Sequence, residues 1–501
     1  MSTKYKSPNV GFIRPELSKL MPLYRLIRDV LSGEDAVKKA REEYLPRPDP
    51  TDRSKENRER YEAYLRRAVF YNATRRTLKA MVGQVYMYQP HVKAPPIMDM
   101  VVSNATGEGV SIQLAAKRAL EYTLAFSRAG VFVDYPRTED EAPTSLADIE
   151  SGRIRPTINI VHPQNIINWR TTPMGAEEII SLVVIAEDFA SMDDGFEITL
   201  QEQWRVLGLD SEGNYYQEVW RKVEDPRYIK SQRPEYFLHE LTYPRDFNGH
   251  PLRFIPFQFI GSENNDSRPD NPNFYDLASV NIAHYRNSAD YEESVFIAGQ
   301  PTLVISGIDE QWRKDNEGTA RVGSVGGIGI PKEGDAKFIQ AQPNNLVKAA
   351  MEHKERQMVA LGARLIEEKK VQRTATEASL DNIGLSSTLA STARNVSEAI
   401  DWALKRAAEF IGIAESDVSF ALNTHFESYK LNSDERRQLL EEWKSGLLTF
   451  EEAREALRKS GLATVDNLEA KEQIDAAMMD MINDQQDDPT YISHSNKPKV
   501  D

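Results

Sequence analysis

The sequence predicts an α+β fold in which helices come first, a mainly antiparallel sheet follows, and long helices return. Three observations carry this prediction. Two early segments, Leu17 to Leu31 and Asp52 to Tyr88, have patterns typical of helices. Alternating or β-branched runs between Val131 and Trp220 are separated by turn residues, which is typical of strands. Helical patterns then fill most of the segment from Asp276 to Ile411.

The N-terminal part is predicted to contain three helices. The first, Leu17 to Leu31, ends before Gly33, and its apolar side consists of Leu20, Leu23, Leu26 and Ile27. An extended linker follows, because closely spaced prolines cannot continue a helix: Pro46, Pro48 and Pro50. We expect Asp52 to Tyr88 to form one long helix, charged at its start and apolar toward its end. A third helix, Gly109 to Arg128, is expected to stop at Gly130.

Several short runs after the third helix predict strands: Val131–Val133, Ile158–Val161, Ile180–Ile185, Glu197–Leu200, Gln203–Leu207 and Tyr215–Trp220. Ser211 to Asn214 contains the residue types of a turn and separates the last two runs. Neighbouring strands joined by such a short turn run in opposite directions. We therefore expect a mainly antiparallel sheet.

Three helices are predicted in the central part of the chain, at Asp276–Gly299, Leu346–Ile366 and Leu389–Ile411. The first has almost no charge in its first half. The third carries apolar residues at alternating spacings of four and three: Leu389, Ala393, Val396, Ile400, Ala403, Ala407 and Ile411. This repeat is typical of a helix that packs along its whole length on other elements.

Two connections separate these central helices. Pro301 to Pro343 is a compact insert, with strand signals at Pro301–Ile305 and Lys337–Ile339. Its glycines do not form a phosphate-binding loop, since the lysine is missing and Pro331 closes the segment. Glu367 to Ser387 is a polar stretch, in which β-branched residues and a charge cluster interrupt the helical pattern.

The C-terminal part returns to short helices. Two pairs of a capping residue and a glutamate three positions later predict their starts: Asn432 with Glu435, and Thr449 with Glu452. Two glycines predict the matching ends: Gly446 and Gly461. Thr464 to Asp501 carries nine acidic residues against three basic ones. We expect the end of this stretch to be a mobile acidic tail.

Composition limits the classes of function. A chain of 501 residues predicts two to four structural units. Cysteine is absent, which excludes disulfides and thiolate metal sites. No signal peptide or membrane span is expected. The net charge of −15 argues against tight, non-specific binding of nucleic acid. It is compatible with an acidic conduit through which DNA slides, or with a role in solubility alone.

Enzyme motifs are nearly absent, so we predict a protein without catalytic residues, metal or cofactor. The chain has no Walker A motif, and its eight histidines have no metal-binding spacing. One alternative is a calcium site formed by the acidic residues Glu263, Asp266 and Asp270, against which the order of an EF-hand loop is missing. Another is a carboxylate-dependent hydrolase with its cleft near Trp169 or Trp204.

The first central helix carries a polar row. His284 lies beside Asn281 and Ser288, at helical spacings of three and four. One interpretation is a seam, including the small residue Ala283, along which identical helices of neighbouring subunits pack closely. The other interpretation is a solvated helix face.

Several short segments of the chain resemble the portal proteins of tailed bacteriophages. Within that family, they resemble a phage-encoded branch long labelled only as a domain of unknown function. They are Tyr64–Ala68 leading to Gly83–Tyr86, Ala129–Pro136, Ile166–Arg170, Ile255–Phe257 and Asn281–Tyr291. The order of helix, small insert, helix, loop and long helix is also found in that family. The resemblance covers roughly Tyr64 to Phe426.

The resemblance implies a portal-like domain map with an α/β wing, a long helical stem, a small β-containing clip and a helical crown. Its divisions are the wing at 1–275, the first stem helix at 276–300, the clip at 301–343, the second stem helix at 344–367, the channel loop at 368–387, the long helix and its return to the wing at 388–431, the crown at 432–483 and the acidic tail at 484–501.

The resemblance also implies function. Portal proteins form rings, of twelve subunits by the family's pattern, through which double-stranded DNA is packaged and ejected at one capsid vertex. The expected partners are further copies of the chain, DNA, the terminase packaging motor, a head–tail adaptor and the major capsid protein, with no membrane. The expected location is the virion, and the host cytoplasm during assembly. A head–tail adaptor or scaffolding protein is the alternative.

Two parts of the chain receive specific roles from this resemblance. The clip is expected to dock the packaging motor first and tail adaptors later; a stabilising β-hairpin without a partner is the alternative. The channel loop is expected to face DNA through Lys369, Lys370, Arg373, Thr374 and Thr376, with the cations meeting phosphates. A solvated connection between two helices is the alternative for this loop.

Overall fold

The α+β prediction is confirmed by a computed structural model, which is 49% helix and 23% sheet. The structure describes residues 8–135, 154–223, 235–246, 248–299, 302–307, 310–315, 334–339, 345–363, 375–424, 433–459, 462–463, 470–471 and 473–476. The chain divides into two units, Met1–Thr424 and His425–Asp501.

The helices of the first unit are α1 (Pro15–Ser32), α2 (Glu34–Lys39), α3 (Lys55–Arg67), α4 (Ala73–Val85), α5 (Asp99–Ser103), α6 (Ile112–Phe126), α7 (Tyr275–Ala298), α8 (Glu310–Asp315), α9 (Asn345–Met358) and α10 (Ala375–Ile411). The second unit contains α11 (Ser433–Lys444) and α12 (Phe450–Lys459). None of these described helices is both long and apolar enough to cross a membrane.

The strands are β1 (His91–Lys93), β2 (Arg128–Asp134), β3 (Thr157–Val161), β4 (Ile166–Met174), β5 (Glu177–Asp193), β6 (Ile198–Leu209), β7 (Tyr215–Lys222), β8 (Tyr236–Thr242), β9 (Phe257–Gly261), β10 (Thr302–Ser306), β11 (Asp335–Ile339) and β12 (Ser419–Ala421). β4 to β8 form an antiparallel meander in chain order. A second sheet has the order β3-β2-β9, and two further pairs join β10 to β11 and β1 to β12.

The core of the first unit lies where α6 and α10 pack on the three-stranded sheet. Ala129, Val131 and Val133 of β2 are fully buried. The apolar positions of α10 that alternate by four and three are buried as predicted: Leu389, Ala393, Val396, Ile400, Ala403, Ala407 and Ile411. Burying a valine or isoleucine side chain contributes about 1.5–3 kcal/mol relative to leaving it exposed, so this helix is held mainly by its apolar stripe.

A buried cation links the two larger sheets. Arg128, at the start of β2, is 2% exposed. Its Cζ lies 4.5 Å from the ring centroid of Trp169 in β4 and 4.0 Å from that of Phe259 in β9. One guanidinium nitrogen donates a hydrogen bond to the carbonyl of Ser267 over 3.1 Å. Burial lowers the pKa of Arg128 to about 10, so the group is still charged at neutral pH and is stabilised by the two ring faces.

Two predicted helices are divided in the structure. The prediction of one helix from Asp52 to Tyr88 is wrong, because residues 68–72 separate α3 from α4. Asn72 caps α4 by accepting a hydrogen bond from the backbone N–H of Arg75 over 2.9 Å. The predicted helix Leu346–Ile366 changes at Met358 into a π-helical turn, in which Gly362 has a φ of 113°. Such a turn ends the regular α-helical hydrogen bonding of α9 at Met358, before the predicted end at Ile366.

The long helix α10 begins earlier than the sequence suggested. The helical pattern predicted a start at Leu389, whereas α10 starts at Ala375 and has 37 residues, about 55 Å. The polar stretch that was expected to be a loop up to Ser387 is therefore helical from Ala375. Ser, Thr and Ala residues in this stretch permit a helix although they show no apolar period.

The predicted end of the third helix at Gly130 is wrong, because α6 ends at Phe126, Ser127 takes the left-handed conformation with a φ of 57°, and Gly130 lies within β2. The turn predicted at Ser211–Asn214 and the cap predicted at Thr449 are confirmed. The Asp210 carboxylate accepts hydrogen bonds from the backbone N–H groups of Glu212 and Asn214 and so builds the turn between β6 and β7. In the second unit, the hydroxyl of Thr449 accepts from the N–H of Glu452 over 3.2 Å, and the Glu452 carboxylate accepts from the N–H of Thr449 over 2.8 Å. This is a capping box. Asn432 and Gly461 lie outside the described residues.

His162 makes the stability of this unit sensitive to acid. Its ring lies 4.8 Å from those of Tyr122 and Phe126, and its Nδ1 accepts from the backbone N–H of Gln164 over 3.2 Å. Burial, and then the nearby charge of Arg28, lower the pKa of His162 to about 4. The unfolded chain takes up this proton near pH 6.5. The stability that depends on neutral His162 is therefore complete above about pH 6.5 and is lost as the pH falls toward about 4.

We expect the free energy of unfolding to fall by about 1 kcal/mol more in the natural protein than in the His162→Asn variant between about pH 7 and pH 5.5. Asparagine keeps an acceptor for Gln164 and does not titrate. Urea unfolding of both proteins at the two pH values measures the difference. Equal pH dependence of the two proteins would contradict the assignment.

Candidate functional site

α7 carries the residues for which the sequence predicted a subunit contact. Its 24 residues span about 36 Å. The first half is buried through its apolar side chains: Leu277, Ala278, Ile282 and Tyr285. The last turn instead exposes three large apolar side chains, between 44% and 49% each: Val295, Phe296 and Ile297. α7 therefore begins in the core and ends at the surface, shortly before the insert that contains β10 and β11.

Two side chains of α7 bind residues 69–74, which include the segment between α3 and α4 and the start of α4. The amide oxygen of Asn281 accepts from the N–H and the hydroxyl of Thr74 over 3.1 and 2.9 Å, and its amide nitrogen donates to the carbonyl of Tyr71 over 2.8 Å. The Ser288 hydroxyl accepts from the N–H of Val69 over 3.2 Å and contacts the Val69 carbonyl at 2.6 Å. Asn281 and Ser288 are two turns apart on one helix face, so together they hold residues 69–74.

His284 lies between these two residues and is 3% exposed. Its Nε2 is 3.3 Å from a carboxylate oxygen of Glu355 in α9. Burial lowers the pKa of His284, while the hydrogen bond and charge of Glu355 act in the opposite direction. Its Nδ1 is buried without a hydrogen-bond partner. His284 thus joins α7 to α9 through one polar contact.

The role of these residues in a contact between subunits stays a prediction, but the alternative of a solvated helix face is wrong. Asn281, His284 and Ser288 are all buried, and each makes its hydrogen bond within the chain. The physical reason is that residues 68–72 leave the helical path and need partners for their backbone groups. Ala283 is half-buried, and its role in a subunit contact stays a prediction.

The second half of α7 is held by α3 through ion pairs and a polar contact. The Tyr64 hydroxyl lies 2.6 Å from the Asp290 carboxylate. Arg67 pairs with Glu293, and its guanidinium also lies 4.2 Å from the ring centroid of Phe296. No local pattern in the sequence showed these partners, since they are separated by more than 200 positions.

α9 packs along α7 and closes a cavity with the start of α4. The cavity has a volume of about 410 Å³ and is lined by Tyr71, Ala73, Glu352, Glu355, Arg356, Met358 and Val359. Its carboxylates and one guanidinium lie next to the His284–Glu355 contact. The described part of β10 pairs with β11 in antiparallel register from Thr302–Ile339 to Ser306–Asp335, which confirms the strands predicted in the insert.

Most of the residues predicted to face DNA lie in a part of the chain that the structure does not describe. Lys369, Lys370, Arg373 and Thr374 lie outside the described residues. Thr376 lies in the first turn of α10. The structure therefore places one member of the predicted group at the start of a long helix, and the DNA-facing role of the group stays a prediction.

The acidic loop considered for calcium has a structural role. The Asp270 carboxylate accepts from the N–H and hydroxyl of Ser262 and from the N–H of Glu263. Asp266 accepts from the N–H of Arg268 over 2.7 Å. These bonds are internal turn contacts. Among the residues that the structure describes, no group of three or more histidine or carboxylate side chains could hold a metal ion.

Of the two tryptophans considered for a hydrolase cleft, Trp169 lies in packed surroundings, whereas Trp204 also lines a cavity of about 480 Å³. Trp169 is 2% exposed and lies between the guanidinium groups of Arg14 and Arg128, at 4.6 and 4.5 Å. Trp204 is 6% exposed and packs with Ile167, Val184 and Val206. Trp169 therefore stabilises the junction of the two sheets.

We expect Asn281→Leu to lower the free energy of unfolding by about 2–4 kcal/mol, because the buried N–H of Thr74 and carbonyl of Tyr71 lose their partner. Asn287→Leu is the matched control, since Asn287 is less buried on the same helix. Urea unfolding of both variants measures the effect. A cost for Asn281→Leu no larger than for Asn287→Leu would show that these hydrogen bonds are not needed.

Residues 273–411 match the family model described as a domain of unknown function, DUF4055. The match extends over α7, the insert, α9 and α10. No curated protein matches the chain.

Among solved structures, the chain is similar to one in the virion of a native gene transfer agent (GTA) particle, with 13% identity and a TM-score of 0.40 over 81% of this chain and 94% of that one. Two further similar chains belong to the neck of the native GTA particle, computed with C12 symmetry, and the neck of the empty GTA particle, computed with C6 symmetry. Each has 12% identity and a TM-score of 0.40, over 80% of this chain and 93% of that one. At a TM-score of 0.40 these likenesses carry no functional conclusion.

Proposed function

We propose that this chain is the portal protein of a tailed bacteriophage, a ring-forming and non-enzymatic conduit for double-stranded DNA at one capsid vertex. The observation that carries the proposal is the arrangement of α7, the β10–β11 insert, α9 and α10. α7 runs out of the core, the insert follows it, and α9 returns along α7 before the long α10. In the portal proteins that the chain resembles, the same order forms the stem and the clip.

A ring of such chains requires a heterologous interface that closes on itself. We propose twelve subunits, as the resemblance implies, with α7 and α9 forming the wall of the channel. The insert is then positioned to dock the terminase packaging motor and later a head–tail adaptor, and the β4–β8 sheet belongs to a wing that faces the major capsid protein. The chain would act in the virion, after assembly in the host cytoplasm.

The charge distribution supports a conduit rather than a DNA-binding surface. The net charge of −15 disfavours tight wrapping of phosphates and favours sliding of DNA. Lys369, Lys370 and Arg373 lie between α9 and α10, next to Thr374 and to Thr376 in the first turn of α10. In a ring of twelve copies these cations would form a basic collar within an otherwise acidic channel.

We expect Ala283→Glu to abolish rings while each subunit stays folded. Ala283 is only half-buried in the single chain, so a glutamate is tolerated there, but an unpaired charge buried between subunits costs several kcal/mol. Negative-stain microscopy and mass measurement report the rings, and circular dichroism reports the fold. Ala283→Ser, which stays small and uncharged, is the control and should keep its rings. Intact rings in the glutamate variant would show that this part of α7 does not lie in the interface between subunits.

We expect the triple variant Lys369→Ala, Lys370→Ala, Arg373→Ala to form rings but to package or retain less DNA, because the collar loses its phosphate contacts. The matched control removes three exposed cations elsewhere: Lys39, Arg53 and Arg58. Complementation of a phage that lacks its portal gene, followed by counting of DNA-filled particles, measures the effect. If both triple variants give normal yields, the segment between α9 and α10 is a connector without a role in DNA transport.

A further inference from the structure

The hairpin of β5 and β6 extends well beyond the rest of its sheet. β5 pairs with β6 as far as Asp193, whereas β4 reaches β5 only to Ile185 and β7 reaches β6 only to Gln203. Within the described strands, residues 186–202 therefore form a two-stranded ribbon that extends beyond the pairing of β5 with β4 and of β6 with β7. Large apolar side chains exposed on such a ribbon are normally covered by a partner.

The end of this ribbon, residues 192–200, is here called the hairpin tip. It exposes four large apolar side chains: Met192 (59%), Phe196 (99%), Ile198 (57%) and Leu200 (63%). The tip has an ordered turn, because the Asp194 carboxylate accepts from the N–H groups of Phe196 and Glu197 over 2.9 and 2.7 Å. Asp194 and Glu197 are exposed on either side of Phe196. The tip thus presents an aromatic ring flanked by carboxylates.

A cavity with the complementary chemistry lies at the base of the same ribbon, and is here called the basal cavity. It has a volume of about 480 Å³. Its lining combines three aromatic residues, two cations, one carboxylate and two polar residues next to the hairpin tip: Phe189, Trp204, Phe237, Arg221, Lys222, Glu202, Ser191 and Gln201. The Arg221 guanidinium lies 3.8 Å from the ring centroid of Phe189. A cavity of roughly 150 Å³ already holds a benzene molecule, so this one accommodates a phenylalanine side chain.

We infer that the hairpin tip of one copy docks in the basal cavity of a second copy. Phe196 would pack among the aromatic residues, and the carboxylates of Asp194 and Glu197 would meet Arg221 and Lys222. One chain cannot bring its own Phe196 into this cavity, because Phe196 lies at the turn, five residues beyond both Ser191 and Gln201, roughly 16 Å along extended strand. The two surfaces differ, so the contact is heterologous and can repeat from copy to copy. The inference rests on the proposed ring and names one contact that closes it.

The absence of cysteine from the sequence allows a direct test. We expect the double variant Phe196→Cys, Phe237→Cys of the full chain to form a ladder of covalent multimers under oxidising conditions, since a disulfide requires the two Cα atoms within about 7 Å. The control pair is Phe196→Cys with Met174→Cys, because Met174 is exposed at the end of β4, beside the start of β5 and away from the hairpin tip, and should not cross-link. Phe196→Cys alone should also remain uncross-linked, and covalent dimers of this single variant would overturn the inference.

Charge reversal tests the specificity of the contact. In the double-cysteine background, Glu197→Lys or Lys222→Glu should reduce the ladder about fivefold, and the two reversals together should restore it. An unchanged yield of covalent multimers in both charge-reversal variants would overturn the inference.

Microscopy of the cysteine-free protein separates this inference from the proposed function. Rings without a ladder overturn the tip–cavity contact and leave the ring. A ladder without rings supports the contact and overturns the closed conduit. Absence of both overturns both.

Discussion

The binding of residues 69–74 by α7 is the constraint on which the arrangement of the helices depends. A chain that leaves the helical path between α3 and α4 exposes backbone groups, and in a buried position each of these groups needs a partner. Asn281 and Ser288 supply the partners for Val69, Tyr71 and Thr74. Because α7 is fixed in this way, α9 can pack along it, and the Glu355 carboxylate reaches the ring of His284.

The second constraint fixes α10 to the three-stranded sheet. Two asparagine side chains bond across the junction in opposite directions: the amide of Asn265 donates to the carbonyl of Asn395, and the amide of Asn395 donates to the carbonyl of Gly261, each over 2.9 Å. Gly261 has no room for a side chain, since a Cβ there would lie 2.0 Å from the carbonyl oxygen of Asn264. The acidic loop that suggested a metal site from its composition is therefore part of a helix–sheet joint.

These two joints separate the first unit into parts with different roles. The starts of α7 and the buried half of α10 are anchored in the core, where Arg128 stabilises the contact of the sheets. The end of α7 and the β5–β6 ribbon carry large exposed apolar side chains instead. Soluble single chains rarely expose contiguous apolar patches of this kind without a partner, so these are the regions where assembly would add contacts.

Sequence alone determined the elements whose stability comes from a regular pattern or a local side-chain contact. The apolar repeat of α10, the central strands β5 to β7 of the meander, the insert strands, the turn at Asp210 and the capping box at Thr449 all follow from residues within about four positions of one another. The candidate site was only partly predictable: the polar residues of α7 were identified correctly as a group, but their partners were not.

Tertiary structure decided the rest, because the deciding contacts join residues far apart in sequence. The break between α3 and α4 depends on side chains more than 200 positions later. The row of Asn281, His284 and Ser288 looked solvated or intersubunit from its spacing, and only the fold shows that the chain itself buries it. A helical period shows which side of a helix is polar, but the backbone groups that need those polar atoms are brought to them only by folding.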